Sequence, residues 1–158
     1  MTTLTEDMVE FLGLLKKHGV EFVLVGGHAV NYYGYVRTTQ DIDLLIYPSP
    51  KNAQCMMAAL SDFGFGDAGI PVSLFESTGS AIHLGNEPNR IDLLTALKGM
   101  SNEQIFKNKK RIHLGSLELD IIDLNDLLQI KRQSSPLKDQ ADAEEIEISK
   151  PDGDSYDR

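Results

Sequence analysis

Two aspartates, Asp41 and Asp43, are separated by one isoleucine and followed by the apolar residues 44–46. The segment is typical of a strand, on which residues two apart project from the same face, so the carboxylates lie side by side while Ile42 points to the core. Like charges that close disfavour each other's ionisation, and a divalent cation removes that cost. Carboxylate oxygens, waters and phosphates are the ligands that Mg²⁺ prefers. The alternative is an acidic pair on a solvated strand face.

A second feature is the pair Gly26 and Gly27, which follows the apolar run at residues 21–25 and precedes a short helical pattern. Glycine allows a close approach of backbone N–H groups to an anion, and a helix start favours negative charge. The same pair is consistent with a plain tight turn. His28 comes directly after it, where a helix start would place its ring near a bound anion.

A third acid, Asp92, lies within the segment NRIDLLT at residues 89–95. Apolar residues flank it on a predicted strand, so we expect it to be buried. A buried carboxylate requires a partner, and the Asp41–Asp43 pair with its cation would supply one.

The order of these features resembles the signature of the DNA polymerase beta-like nucleotidyltransferase superfamily: a strand, Gly-Gly, a helical turn, then Asp-x-Asp in the next strand and an acid in a later one. Thirteen residues, 28–40, separate the glycines from the acids, a spacing the family tolerates. Residues 37–43 (RTTQDID) are similar to the small single-domain bacterial members of the AbiEii toxin-type group. The resemblance extends over about residues 20–146. One departure is at residues 134–137, where relatives often carry an arginine, which puts a phosphate contact from this region in doubt.

The resemblance implies transfer of a nucleoside monophosphate from a nucleoside triphosphate (NTP) to an acceptor hydroxyl, with pyrophosphate leaving. By similarity, Asp41 and Asp43 would hold the Mg²⁺ on the triphosphate. The same acids with Asp92 would hold a second ion during turnover, and Asp92 would be the candidate base. Gly26 and Gly27 would contact the phosphates through backbone N–H groups.

Five further residues are secondary candidates for nucleotide binding. The helix start would place His28 near phosphate, whereas a surface salt bridge is the alternative for Arg37 and loop capping is the alternative for Thr39. Solvated helix faces are the alternative for Lys131 and Lys138.

Local patterns predict the elements that position these residues. A helix is predicted over residues 3–19, with Thr3 and Glu6 at capping-box spacing. Residues 64–77 give no clear pattern. We expect a single α+β domain over residues 1–148, a nucleotidyltransferase-like mixed sheet flanked by helices, and a disordered acidic tail over 149–158. The further predicted strands are 21–25, 42–47, 81–84, 90–94, 111–114 and 117–122, and the further helices 28–33, 50–61, 101–107, 123–133 and 138–148.

Composition limits the setting and the partners. No apolar run approaches the roughly 18 residues that span a bilayer, the first ten residues are unlike a signal peptide, and Cys55 is the single cysteine. We therefore expect a cytoplasmic protein with no membrane partner. The net charge is −9, of which −6 falls on residues 139–158. Such acidity disfavours broad binding to nucleic acid, and no DNA partner is expected.

Three hypotheses remain open at this stage. The first is an active nucleotidyltransferase whose acceptor is RNA (tRNA included), a protein or a small molecule, with a role as the toxin of a toxin–antitoxin pair and an antitoxin-like partner chain. The second is an inactive nucleotide-binding or protein-interaction module on the same fold. The third is a different α+β domain whose aspartates are structural. The intact set of three acids favours the first.

Overall fold

The element order follows the predicted alternation of helices and strands. A computed structural model of the chain describes residues 4–35, 41–86 and 89–134. The described elements are α1 (Glu6–Lys17), β1 (Phe22–Val25), α2 (Gly26–Tyr32), β2 (Ile42–Ile46), α3 (Pro50–Leu60), β3 (Ala81–Leu84), β4 (Ile91–Leu94), α4 (Asn102–Asn108), β5 (Lys110–Leu114), β6 (Leu117–Ile121) and α5 (Leu124–Ser134).

The strands form one six-stranded sheet in the order β3-β4-β2-β1-β6-β5. β1 pairs antiparallel with β2 and parallel with β6, while β2 pairs parallel with β4. The edge strands β3 and β5 pair antiparallel with β4 and β6. All four residues of β1 are buried, as expected for a central strand that reads as a continuous apolar run. The mixed sheet and its helices confirm the predicted α+β fold.

Helix α1 begins later than predicted. Thr5 is its N-cap, and the Thr5 hydroxyl accepts a hydrogen bond from the backbone N of Met8 at 3.1 Å. The predicted cap at Thr3 is therefore wrong, because the same hydroxyl-to-amide spacing is available two residues later. The apolar stripe that includes Phe11 and Leu15 is buried as its helical spacing predicts, and α1 packs against α3 and β6.

Asn52 ties α3 to the two central strands. Its Oδ1 accepts from the backbone N of Glu21 at 2.7 Å, and its Nδ2 donates to the carbonyls of Glu21 at 3.0 Å and Tyr47 at 2.8 Å. The side chain therefore joins the residue before β1 to the residue after β2. Ser49 caps α3 by accepting from Asn52 N, and Pro50 is its first residue, the start of the predicted helix 50–61.

The unassigned segment 64–77 contains only short turns. A five-residue π-helical turn covers Ser61–Phe65, and a 3₁₀ turn covers Val72–Phe75. The predicted helix 138–148 and the tail 149–158 lie outside the described residues. Within the described ranges, no helix is long and apolar enough to cross a membrane.

Candidate active site

Asp43 and Asp92 are register partners on the adjacent parallel strands β2 and β4. Residues paired in this way stand on the same face of the sheet, about one strand spacing (~4.8 Å) apart. Asp41 lies one residue before β2, so the strand begins at Ile42 rather than at the first acid. The three acids therefore meet where β2 and β4 begin. Their meeting results from the parallel pairing of two strands that are far apart in sequence.

Gly26 leaves room for the Asp43 carboxylate. It is the first residue of α2, two residues earlier than predicted, and its φ of +73° is in the left-handed region that favours glycine. A Cβ at this position would lie 2.8 Å from Asp43 Cγ and closer still to Oδ2. The Gly-Gly signal thus has a local physical cause: the chain turns against a carboxylate and has no space for a side chain.

Arg90 bridges two of the acids. Its Nε donates to Asp92 Oδ1 at 2.7 Å and its Nη2 donates to Asp92 Oδ2 at 3.2 Å, a two-pronged ion pair. Its backbone N donates to Asp41 Oδ1 at 2.8 Å, and Nη2 lies 3.9 Å from Asp41 Oδ2. One arginine therefore contacts Asp92 with its side chain and Asp41 with both main chain and side chain.

His83 also contacts Asp92, in addition to the Nε and Nη2 atoms of Arg90. It is the register partner of Asp92 on β3, and its Nδ1 lies 2.6 Å from Asp92 Oδ1. Burial opposes ionisation of Asp92, but hydrogen bonds donated by Arg90 and His83, a side-chain hydrogen bond shared with Asp43, and the charge of Arg90 outweigh it. The pKa of Asp92 therefore stays below its usual value. Asp92 is therefore a carboxylate at neutral pH, although it is only 6% exposed.

Comparison with known protein families identifies the family to which this chain belongs. The family described as a nucleotidyl transferase of unknown function (DUF2204) matches residues 4–153. This chain belongs to that family. A candidate nucleotidyltransferase from Thermotoga maritima has a similar crystal structure, with a TM-score of 0.60 and 15% identity over 85% of this chain and 86% of the other. That likeness shows the nucleotidyltransferase fold. The family match confirms the resemblance at the superfamily level. A comparison with curated proteins finds no match.

Nucleotidyltransferases generally use a divalent cation, and the donor chemistry here suits Mg²⁺. Asp43 and Asp92 stand side by side, Asp41 is adjacent in the chain, and all three offer hard carboxylate oxygens. The absence of a side chain at Gly26 leaves space for the Asp43 carboxyl group. However, within residues 4–35, 41–86 and 89–134, no three His, Cys, Asp or Glu side chains are grouped so that they could hold a metal ion as they stand. The acids fit the ion by chemical type, and the strand register brings two of them side by side. In the arrangement observed, the Arg90 guanidinium supplies the positive charge at Asp92.

The secondary candidates for nucleotide binding in this nucleotidyl transferase family member differ in their position and burial. His28 is 4% exposed, its Nε2 has no hydrogen-bond partner among the residues that the structure describes, and burial lowers its pKa to about 4. A neutral, enclosed ring offers no positive charge to a phosphate, which favours core packing over nucleotide contact. Lys131 lies on α5 and is partly buried. Arg37, Thr39 and Lys138 lie outside the described residues, so their roles stay predictions.

Sequence reasoning missed Arg90 and His83. Arg90 stands two residues before Asp92, and that i, i+2 spacing at a strand start could have indicated a shared face. His83 carries no such signal, because its contact with Asp92 depends on how β3 pairs with β4.

A cavity of about 330 Å³ lies apart from this cluster. Tyr47 and Ala96, which line it, follow the far ends of β2 and β4, whereas the three acids lie where these strands begin. Its polar lining also includes Glu76, Thr78, Ser101, Asn102 and Glu103. The cavity therefore does not include the acid cluster.

Proposed function

We propose that this protein is a magnesium-dependent nucleotidyltransferase that moves a nucleoside monophosphate from an NTP to an acceptor hydroxyl. The observation that carries the proposal is the register pairing of Asp43 with Asp92, next to Asp41 and opposite the Gly26 turn. An apolar sheet that buries Asp92 beside another acid has a chemical reason for doing so if the pair serves a cation. The fold and the family supply the reaction class.

The roles of the residues follow from their positions. Asp41 and Asp43 would hold the Mg²⁺ on the triphosphate, and all three acids would hold a second ion. Bound there, Mg²⁺ would neutralise phosphate charge and lower the pKa of the acceptor hydroxyl. Gly26 and Gly27 place backbone N–H groups at the start of α2, beside Asp43, for contact with phosphate.

Asp92 is the candidate base. It is ionised at neutral pH and so has the capacity to accept the proton of the acceptor hydroxyl. The acceptor oxygen then forms a bond to the α-phosphorus, the bond from that phosphorus to the bridging oxygen breaks, and pyrophosphate leaves with that electron pair. Such a transfer depends on alignment and charge neutralisation rather than on a covalent enzyme intermediate.

The acceptor is proposed to be an RNA such as tRNA, a protein or a small molecule. The similarity of residues 37–43 to AbiEii-type proteins supports a toxin–antitoxin role with an antitoxin-like partner chain. The single cysteine supports a cytoplasmic location.

A second candidate is an inactive module that binds nucleotide or protein on the same fold. The contacts of Arg90 and His83 favour it, because both oxygens of Asp92 are engaged by protein groups. Under this alternative the acids are a buried ion-pair network, and an NTP would bind without being consumed.

Transfer of label from each of the four α-³²P-labelled NTPs, with MgCl₂ and a cell extract of RNA and protein, distinguishes the two. The enzyme predicts label in a macromolecule that disappears in Asp43→Asn. Magnesium-dependent NTP binding without transfer would favour the module, and absence of both would overturn the proposed site.

Asp120→Asn is the matched control. Asp120 lies on β6, its side chain is 13% exposed, and it is ion-paired with Arg111 and Lys109, much as Asp92 is ion-paired with Arg90. Loss of transfer in both variants would indicate general damage to the fold, whereas loss in Asp43→Asn alone supports the site.

A further inference from the structure

We propose that Arg90 is an exchangeable counter-ion: its guanidinium holds Asp92 in the absence of metal, leaves when a divalent cation binds, and so weakens the binding of the free cation. The proposal rests on the metal site of the proposed function and assigns a regulator to it. The carrying observation is that one side chain engages both carboxylate oxygens of Asp92, at 2.7 Å and 3.2 Å.

The guanidinium and a metal ion compete for the same atoms. A cation bound between Asp43 and Asp92 needs a lone pair of Asp92, and Arg90 and His83 already donate to Oδ1 while Arg90 donates to Oδ2. Two positive groups within a few ångströms also repel each other, most strongly at a site shielded from water. The Asp92 side chain is 9% exposed, so such repulsion is only weakly screened. The two-pronged ion pair therefore competes with cation binding at Asp92.

The Arg90 side chain has a path away from Asp92 on the solvent side. Its side chain is 25% exposed, which gives the guanidinium an outlet to solvent. Its anchor to Asp41 runs partly through the backbone N–H, which stays in place whatever side chain position 90 carries. His83 engages only one of the two oxygens, and its side chain is 51% exposed. Arg90 is thus the larger obstacle to the cation.

The exchange explains why the three acids are close together and yet do not form a ready metal group among the described residues. With Arg90 in place, Asp92 faces the guanidinium. When Arg90 is displaced, the Asp92 carboxylate is available to a cation beside Asp43. The arginine therefore keeps two adjacent carboxylates stable when no cation is present and sets the cation concentration at which the site fills.

Binding of Mn²⁺, used as a paramagnetic substitute for Mg²⁺, tests the proposal without any turnover. The free Mn²⁺ signal in electron paramagnetic resonance is measured while purified full-length protein is titrated, with no nucleotide present. We expect Arg90→Gln to bind Mn²⁺ at least tenfold more tightly than the wild type. We expect Arg90→Lys to lie between them, since lysine keeps the charge and loses the two-pronged geometry. Equal or weaker binding by folded Arg90→Gln would overturn the counter-ion role.

Arg111→Gln is the control for removing an arginine from a sheet ion pair. Arg111 is the register partner of Asp120 on the β5–β6 hairpin and donates to it from Nε at 2.6 Å. The Arg111→Gln variant should bind Mn²⁺ as tightly as the wild type does. If Arg111→Gln and Arg90→Gln both bind Mn²⁺ more tightly by the same factor, the proposal is contradicted.

A wild-type titration read by NMR covers the case in which Arg90→Gln does not fold. Addition of Mg²⁺ should shift or broaden the Arg90 Nε–H resonance and leave that of Arg111 in place, and an unchanged Arg90 signal at saturation would overturn the exchange. Asp43→Asn in the Mn²⁺ assay separates the two proposals. If it does not weaken binding, the proposed metal site fails. If Asp43→Asn weakens Mn²⁺ binding while Arg90→Gln binds Mn²⁺ as the wild type does, only the counter-ion role fails.

Discussion

The carboxylate of Asp43 occupies the space that a side chain at Gly26 would need. A Cβ on Gly26 would lie 2.8 Å from Asp43 Cγ and 2.9 Å from Asp43 Cβ, and the backbone there has a φ of +73°. The pairing of Val25 with Asp43 across β1 and β2 produces this approach, because it places the first residue of α2 over the acid. The glycine and the aspartate are therefore one structural unit, although sixteen residues separate them in the sequence.

Gly26→Ala should destabilise the protein by about 3 kcal/mol, since it combines left-handed backbone strain with the clash on Asp43. Gly19→Ala separates the two causes, because Gly19 has a similar φ of +70° and no described residue outside its own neighbourhood lies within 4 Å of an added Cβ. It should cost only about 1 kcal/mol. Urea unfolding of both variants gives the comparison, and equal losses would mean that the Asp43 contact contributes nothing.

Arg90→Gln should lower the stability of the metal-free protein by about 2 kcal/mol, because a mostly buried carboxylate loses a charged partner next to another acid. Added Mg²⁺ should then raise the melting temperature of this variant more than that of the wild type. Differential scanning calorimetry with and without Mg²⁺ measures both effects. A variant as stable as the wild type without metal would show that the ion pair has no net stabilising effect.

Asn52→Ala should cost about 3 kcal/mol, since it leaves Glu21 N–H and the Tyr47 carbonyl without the amide that satisfies them near the core. Asn108→Ala is the comparison: the Asn108 side-chain amide donates to Asp126 at 3.1 Å, and loss of that hydrogen bond should cost about 1 kcal/mol. Chemical denaturation gives both values. Similar losses would mean that Asn52 is not a special link between α3 and the sheet.

The free energy of unfolding should rise with pH between about 4 and 6.5 because of His28. Its folded pKa, about 4, lies below its ordinary value of 6.5, so the unfolded chain binds the extra proton in this window and folding is disfavoured as pH falls. The contribution is absent above pH 6.5 and reaches about 3 kcal/mol below the folded pKa. Asp92 and Asp120, whose pKa values are lowered in the folded protein, act in a lower pH range, because the stability they contribute is lost only as pH falls below 3.8.

His28→Leu should flatten this part of the profile, measured by urea unfolding at several pH values. His113→Asn is the comparison, because the His113 side chain is 72% exposed and its replacement should leave the slope in place. A slope in His28→Leu as steep as that of the wild type would assign the effect to other groups.

Most of the elements were predictable because their signals are local. Apolar runs bounded by turn residues mark β1 and β2, Ser49 and Pro50 mark the start of α3, and Gly115 with its neighbour marks the β5–β6 hairpin. Each of these features follows from backbone preferences within a few residues. The start of α1 was misplaced because Thr3 and Thr5 offer the same capping chemistry, and only the folded chain selects between them.

The sequence by itself determined the α+β composition of the fold, the Asp41–Asp43 pair, the Gly-Gly turn and the expectation that Asp92 needs a partner. The tertiary structure decided which partners it has. Arg90 and His83 reach Asp92 through a short side-chain path and a strand pairing, and Asp43 stands beside it through the parallel register of β2 and β4. Register between distant strands depends on how the whole sheet packs, and no local pattern encodes it.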